Sequence, residues 1–105
     1  MGRSAPVGNL YNTLQQIIKN NFMLESIKQE LPEETFLVAD GFDECVIGYD
    51  YAFVDKPRLI YSVKAIIAKL VGEGMEEIDA IEYFEFNMMG GYVGEQTPIW
   101  CFDNF

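Results

Sequence analysis

Apolar residues recur along the chain with two different periods, and the change between them marks out the elements. Over residues 9–31, Leu10, Leu14, Ile17, Leu24, Ile27 and Leu31 stand three, four or seven apart, which draws the single stripe of an amphipathic helix. Asn20-Asn21 is a point at which that helix can divide in two. Pro32 ends it, because the residue before a proline resists helical backbone. The pattern then turns strand-like. Thr35-Phe36-Leu37-Val38-Ala39 is a short run of strand formers closed by the turn signal Asp40-Gly41. Glu44 to Phe53 follows as a second strand, with Cys45, Ile47, Tyr49 and Tyr51 on one face by alternation. Asp55-Lys56-Pro57 turns the chain into Arg58-Leu59-Ile60-Tyr61, and so short a connection predicts an antiparallel hairpin.

The helical period returns after Ser62, whose hydroxyl is placed to cap a free backbone N–H. Val63, Ile66, Ile67, Leu70 and Val71 complete a stripe that leaves Lys64 and Lys69 aside and stops at Gly72 and Gly74. A third helix is predicted over Met75 to Met88. Glu76, Glu77 and Asp79 fill its first turn, where the helix dipole favours negative charge. Ala80, Ile81, Phe84 and Met88 form its inner face, while Tyr83 and Phe86 fall partly elsewhere. Gly90-Gly91 ends it, and Thr97 to Phe102 reads as a last strand. The predicted order is α-β-β-β-α-α-β. It describes an α+β fold, a small and mainly antiparallel sheet of about four strands packed by three helices. The connection through two helices leaves open a parallel pairing of the last strand.

Composition fits one domain over residues 1–105, with 1–8 as a loose arm. Of the 105 residues 50% are apolar and 14% aromatic, enough to build a core without metal or disulfide. Cys45 and Cys101 lie in apolar runs and read as reduced, buried and packing as small hydrophobes. No apolar run approaches the ~20 residues of a membrane span, and none behind Met1 to Pro6 suits a signal peptide. The expected location is therefore cytoplasmic, away from any membrane.

Charge changes the picture more, because it is segregated. Residues 1–32 carry a net +1, residues 33–55 a net −7, residues 56–72 a net +4 and residues 73–105 a net −8, giving −10 in all. Phosphate contacts need cations, so direct binding of nucleic acid is not expected. The basic residues Lys56, Arg58, Lys64 and Lys69 are expected to face some of the acids, which would leave the exposed acid on the third helix.

Three stretches carry a resemblance: Asp40-Gly41-Phe42-Asp43-Glu44-Cys45-Val46-Ile47-Gly48, the run Gly74 to Asn87, and Gly91-Tyr92-Val93-Gly94-Glu95-Gln96-Thr97-Pro98-Ile99-Trp100. Together they resemble a family of small proteins met in bacteriophage and environmental sequences, over roughly residues 36–102. The resemblance implies a phage setting and a bacterial cytoplasm, and it implies no reaction.

The residues themselves offer little catalytic chemistry. The chain has no histidine, which removes His-based nucleophilic triads, His acid/base work and most zinc sites. Gly90-Gly91-Tyr92-Val93-Gly94 follows a helix instead of opening one, so it reads as a cap and turn and not as a phosphate loop. Asp40, Asp43 and Glu44, with Asp50, could supply oxygen ligands to a hard cation, but their spacing does not match a calcium loop and Asp40-Gly41 is explained by its turn. No metal or cofactor is expected. Asp79, Glu82 and Glu85 share one side of the third helix, an arrangement more common on a solvated face than in a catalytic pair.

The aromatics Tyr83, Phe84, Phe86, Tyr92, Trp100, Phe102 and Phe105 crowd the last quarter of the chain. A domain of this size needs large residues to fill its core, but the third helix has more apolar faces than a small sheet can cover, so some of the set is expected at the surface, where aromatics rimmed by acids mark a protein interface. The expected partner surface comprises Glu76, Asp79, Glu82, Tyr83, Glu85, Phe86, Tyr92 and Glu95. The expected function is a non-enzymatic phage module that binds a host or defence protein, in one version as an acidic mimic occupying a nucleic-acid-binding groove. The alternatives are a small metal-dependent or carboxylate-based enzyme built around Asp40, Asp43 and Glu44, and a self-associating structural protein, of which a homodimer is the simplest form.

Overall fold

The computed structural model describes residues 22–51, 56–91 and 93–103. The fold is α+β; among the described residues it has three helices and a three-stranded mixed sheet whose central strand is Arg58–Ser62. The first helix, α1, covers residues 22–30 in the described part of the chain; its predicted portion before residue 22, and its division at Asn20-Asn21, lie outside the described residues. Leu24 and Ile27 bury its inner side in the core.

β1 (Val46–Asp50) and β2 (Arg58–Ser62) form the predicted antiparallel hairpin. Strict alternation does not survive in β1. The register shifts between Val46 and Gly48, so an extra residue at Ile47 rotates the strand. Cys45 belongs to the 3-10 turn Asp43–Cys45 that precedes β1, and Cys45 and the adjacent Val46 are both buried. Beyond the bulge the pattern resumes. Tyr49 and Tyr51 pack edge to face at 6.0 Å and donate to Glu30 and Glu34, tying β1 to the end of α1.

Ser62 caps α2 (Val63–Gly72) as expected, its Oγ accepting the Ala65 N–H at 2.9 Å. Val63, Ile66 and Leu70 are buried, while Val71, at the edge of the stripe, is exposed. The helix closes in a Schellman motif. Gly74, at φ +115°, gives its N–H to Val71 O, and Met75 gives its own to Leu70 O. Asp103 reaches back to the start of α2. Its carboxylate accepts from Ser62 Oγ at 2.7 Å and from Lys64 N at 3.0 Å, adding negative charge at the positive end of the helix. Burial raises the pKa of this carboxyl, but these two donors, a further backbone hydrogen bond and the Lys64 charge together hold it below the usual value.

The third helix is shorter than predicted. α3 spans Glu77–Phe84 and continues as a single π turn over Glu85–Met89. Ala80 and Phe84 are fully buried, and Met88 packs partly against the core. Ile81, assigned to the inner face by periodicity, is 39% exposed, because Ala80 and Phe84 define a stripe too narrow to include it. β3 (Ile99–Cys101) joins β2 in parallel, so the sheet has one antiparallel and one parallel pair and is not mainly antiparallel. Cys101 in β3 is half-buried, and both cysteines are free.

The strand predicted at Thr35–Ala39 does not form, and among the described residues the sheet has three strands instead of four. The segment is held by side chains in place of a ladder. Tyr61 Oη accepts the Ala39 N–H at 2.7 Å, and Gln96 Nε2 donates to Thr35 O at 2.6 Å and to Pro57 O at 3.0 Å. Phe36 and Ala39 pack partly on the core, while Leu37 and Val38 remain exposed. Among the described residues, no helix is long and apolar enough to cross a membrane.

Candidate binding face and cleft

Five of the acids expected at the partner surface sit where α3 begins and ends. Glu76 is its N-cap residue, Asp79 and Glu82 lie on its outside, Glu85 opens the π turn, and Glu95 belongs to the turn that follows. All five are exposed, and no ion pair engages them among the described residues. Asp79, Glu82 and Tyr83 are related by three and four residues and share a side of the helix. Apolar groups lie among these acids. Ile78 is 66% exposed, Phe86 82% and Tyr83 38%. Tyr92, also expected here, lies outside the described residues.

The basic segment behaves differently. Lys69 binds Glu44 at 2.7 Å and Glu73 at 3.4 Å. The hydrogen bond to Glu44 raises the Lys69 pKa. At Glu44, burial pushes the pKa up but the Lys69 contact more than offsets it, leaving the carboxyl lowered. Arg58 gives its Nε–H to Thr97 O at 2.8 Å and faces Asp50 across the β1–β2 ladder. Part of the acidity of residues 33–55 is thus met within the fold, while the acids of α3 face solvent.

Asp40, Asp43 and Glu44 do not converge. Among the described residues no group of three or more His, Cys, Asp or Glu side chains is placed to hold a metal ion. Glu44 is engaged by Lys69, and Asp40 belongs to the turn Ala39–Phe42. That turn is closed by Phe42 N–H to Ala39 O and has Gly41 at φ +89°, the backbone a type II turn reserves for glycine. Cys45 offers no nucleophile, since burial first and the Glu44 charge second push its thiol up to about 12.

A cleft of about 330 Å³ opens beside α3, and nothing in the sequence marked it as a site. One wall is the Ala39–Phe42 turn, with Asp40 and Phe42. The end of α3 and its π turn contribute Tyr83, Asn87 and Met88 to the lining. Trp100 of β3 and Pro98 complete it, and Gly91 and Val93 border it. Trp100 is fixed from behind by Phe84, edge to face at 5.4 Å, and by Tyr61 at 5.5 Å. The bordering loop is pinned through Thr97, whose Oγ1 accepts from Val93 N and donates to Gly94 O. The walls are therefore held by bonds from several elements, which is the support a preformed site needs.

No protein-family model, no curated protein and no solved structure matches the chain.

Proposed function

We propose that the chain is a protein-binding module, without a catalytic role of its own, that engages a basic protein through the outer face of α3 and the turn after it. The observation that carries this reading is the exposure of Ile78, Tyr83 and Phe86 among acids that no cation meets among the described residues. Apolar anchors supply affinity at such a surface, and the surrounding charge selects and steers a partner of opposite sign. With a net charge of −10, the chain repels nucleic acid and attracts the proteins that bind it. The resemblance to phage sequences suggests a bacterial cytoplasm as the setting and a host or defence protein as the partner, its nucleic-acid groove occupied by this acidic face.

A second copy of the chain is a poorer occupant. A twofold interface would bring two copies of the same acidic face together, and like charges across an interface are costly. The test is capture from a bacterial lysate at low salt, wild type beside Glu82→Lys/Glu85→Lys and Phe86→Ser. A basic protein retained by the wild type, released by about 0.5 M salt and lost with both variants supports the reading. Retention that ignores salt and both variants overturns it.

A further inference from the structure

We infer that the cleft between the Ala39–Phe42 turn and the end of α3 is a receptor for an arginine side chain of the protein partner. The inference rests on the reading above, since it names the group by which a basic partner would be anchored. Three observations point to a guanidinium. The described lining includes three aromatic rings, Phe42, Tyr83 and Trp100, each from a different element. Among the described lining residues Asp40 is the one that carries a charge, and no described lysine or arginine joins it. The volume, about 330 Å³, lies at the lower end of the range for ligand sites and has room for an arginine side chain.

These features are complementary to arginine in particular. A guanidinium is planar and weakly hydrated, stacks on aromatic faces and pairs with a carboxylate through two parallel N–H donors. An ammonium is a more strongly hydrated point charge and gains less from such walls. An anion would meet Asp40 and the net negative charge, with no cation among the described lining residues to compensate. The cleft is also continuous with the proposed docking face, because Tyr83 belongs to both. An arginine in the cleft would thus fix the orientation of a partner lying along α3.

Trp100 is the sole tryptophan of the chain and lines the cleft, so its fluorescence reports occupancy without a label. The probes are three blocked nonapeptides of glycine and serine that differ only at the central residue, which is arginine, lysine or the neutral isostere citrulline. In low-salt buffer the arginine peptide is expected to change Trp100 emission saturably. The lysine peptide should bind several-fold more weakly, and the citrulline peptide should give no saturable change. Asp40→Asn, an exposed and turn-compatible replacement, should weaken the arginine peptide by about tenfold, with circular dichroism unchanged. Glu33→Gln, exposed and outside both the lining and the α3 face, should leave it within about twofold.

Equal binding of arginine and citrulline peptides, or no saturation by any of them, would overturn the assignment. The two proposals fail separately. Loss of peptide binding with intact, salt-sensitive capture by the α3 face removes the cleft assignment alone. Peptide binding beside a capture indifferent to the α3 variants removes the docking face alone.

Discussion

The hydroxyl of Tyr61, in the centre of the sheet, accepts the backbone N–H of Ala39 at 2.7 Å, across 22 residues of sequence. This bond secures one wall of the cleft to β2, and it replaces the ladder that the Thr35–Ala39 segment lacks. Tyr61→Phe keeps the ring and removes the acceptor. The expected cost is about 1 kcal/mol, measured by urea unfolding, with faster hydrogen exchange at the Ala39 amide than anywhere in β2. An unchanged Ala39 exchange rate would show that the segment is held by Gln96 and packing instead.

Phe84 and Phe86 are two residues apart and should behave oppositely. Phe84 is 1% exposed, packed on Trp100 and Phe102, so Phe84→Ala should cost about 3–5 kcal/mol. Phe86→Ala should stay within about 0.5 kcal/mol of the wild type. Thermal denaturation of both variants decides it, and a large loss at Phe86 would mean that it packs on something in the folded state.

The Asp103 contact with Ser62 and Lys64 predicts an acid limb of stability. Its carboxyl is lowered in the fold, so its contribution is complete above the unfolded value of about 3.9 and disappears as pH falls through the folded value below that. Asp103→Asn should therefore cost about 1 kcal/mol at neutral pH and progressively less below about pH 4. Urea midpoints measured across that interval test the sign. A constant difference at every pH would deny the carboxylate its role.

Cys45 and Cys101 should differ in reactivity. The buried Cys45 thiol, pushed up to about 12 by burial and by Glu44, carries almost no thiolate at neutral pH. Native protein should consume one equivalent of a thiol-exchange reagent readily, at half-buried Cys101, and the second only on the timescale of unfolding. Because the unfolded thiol ionises near 8.5, the same group lowers stability as pH rises from there toward 12. Mass spectrometry of alkylated peptides identifies which cysteine reacts first, and rapid native labelling of Cys45 would contradict its burial.

The elements that were legible in the sequence are those whose signals agree with one another. For α2, Ser62, the stripe Val63, Ile66 and Leu70, and the terminal glycines all state the same helix, and the structure has it. The hairpin was legible because the two runs of strand formers are too close in sequence for a crossover connection. Thr35–Ala39 misled because an apolar run records strand tendency and not the availability of a partner. β1 and β3 already flank β2, and Leu37 and Val38 face solvent. The π turn leaves the hydrophobic period almost untouched over so short a span, so nothing foretold it. The acidic, aromatic character of α3 could be read directly. The cleft could not, because Asp40, Tyr83 and Trp100 come from three separate segments and meet only through the parallel placement of β3.

That parallel placement also sets an order of events. The β1–β2 hairpin and the contacts of α2 with α3 are local in sequence and carry a small entropic cost of closure. β3 pairs with β2 only after the whole intervening segment of residues 63–98 has found its place, a long-range closure of the kind that slows folding. Trp100 rides on that last strand. Its burial against Phe84 and Tyr61 should therefore appear in the slowest refolding phase, after helical content is complete, and recognition competence would be acquired in that same kinetic step.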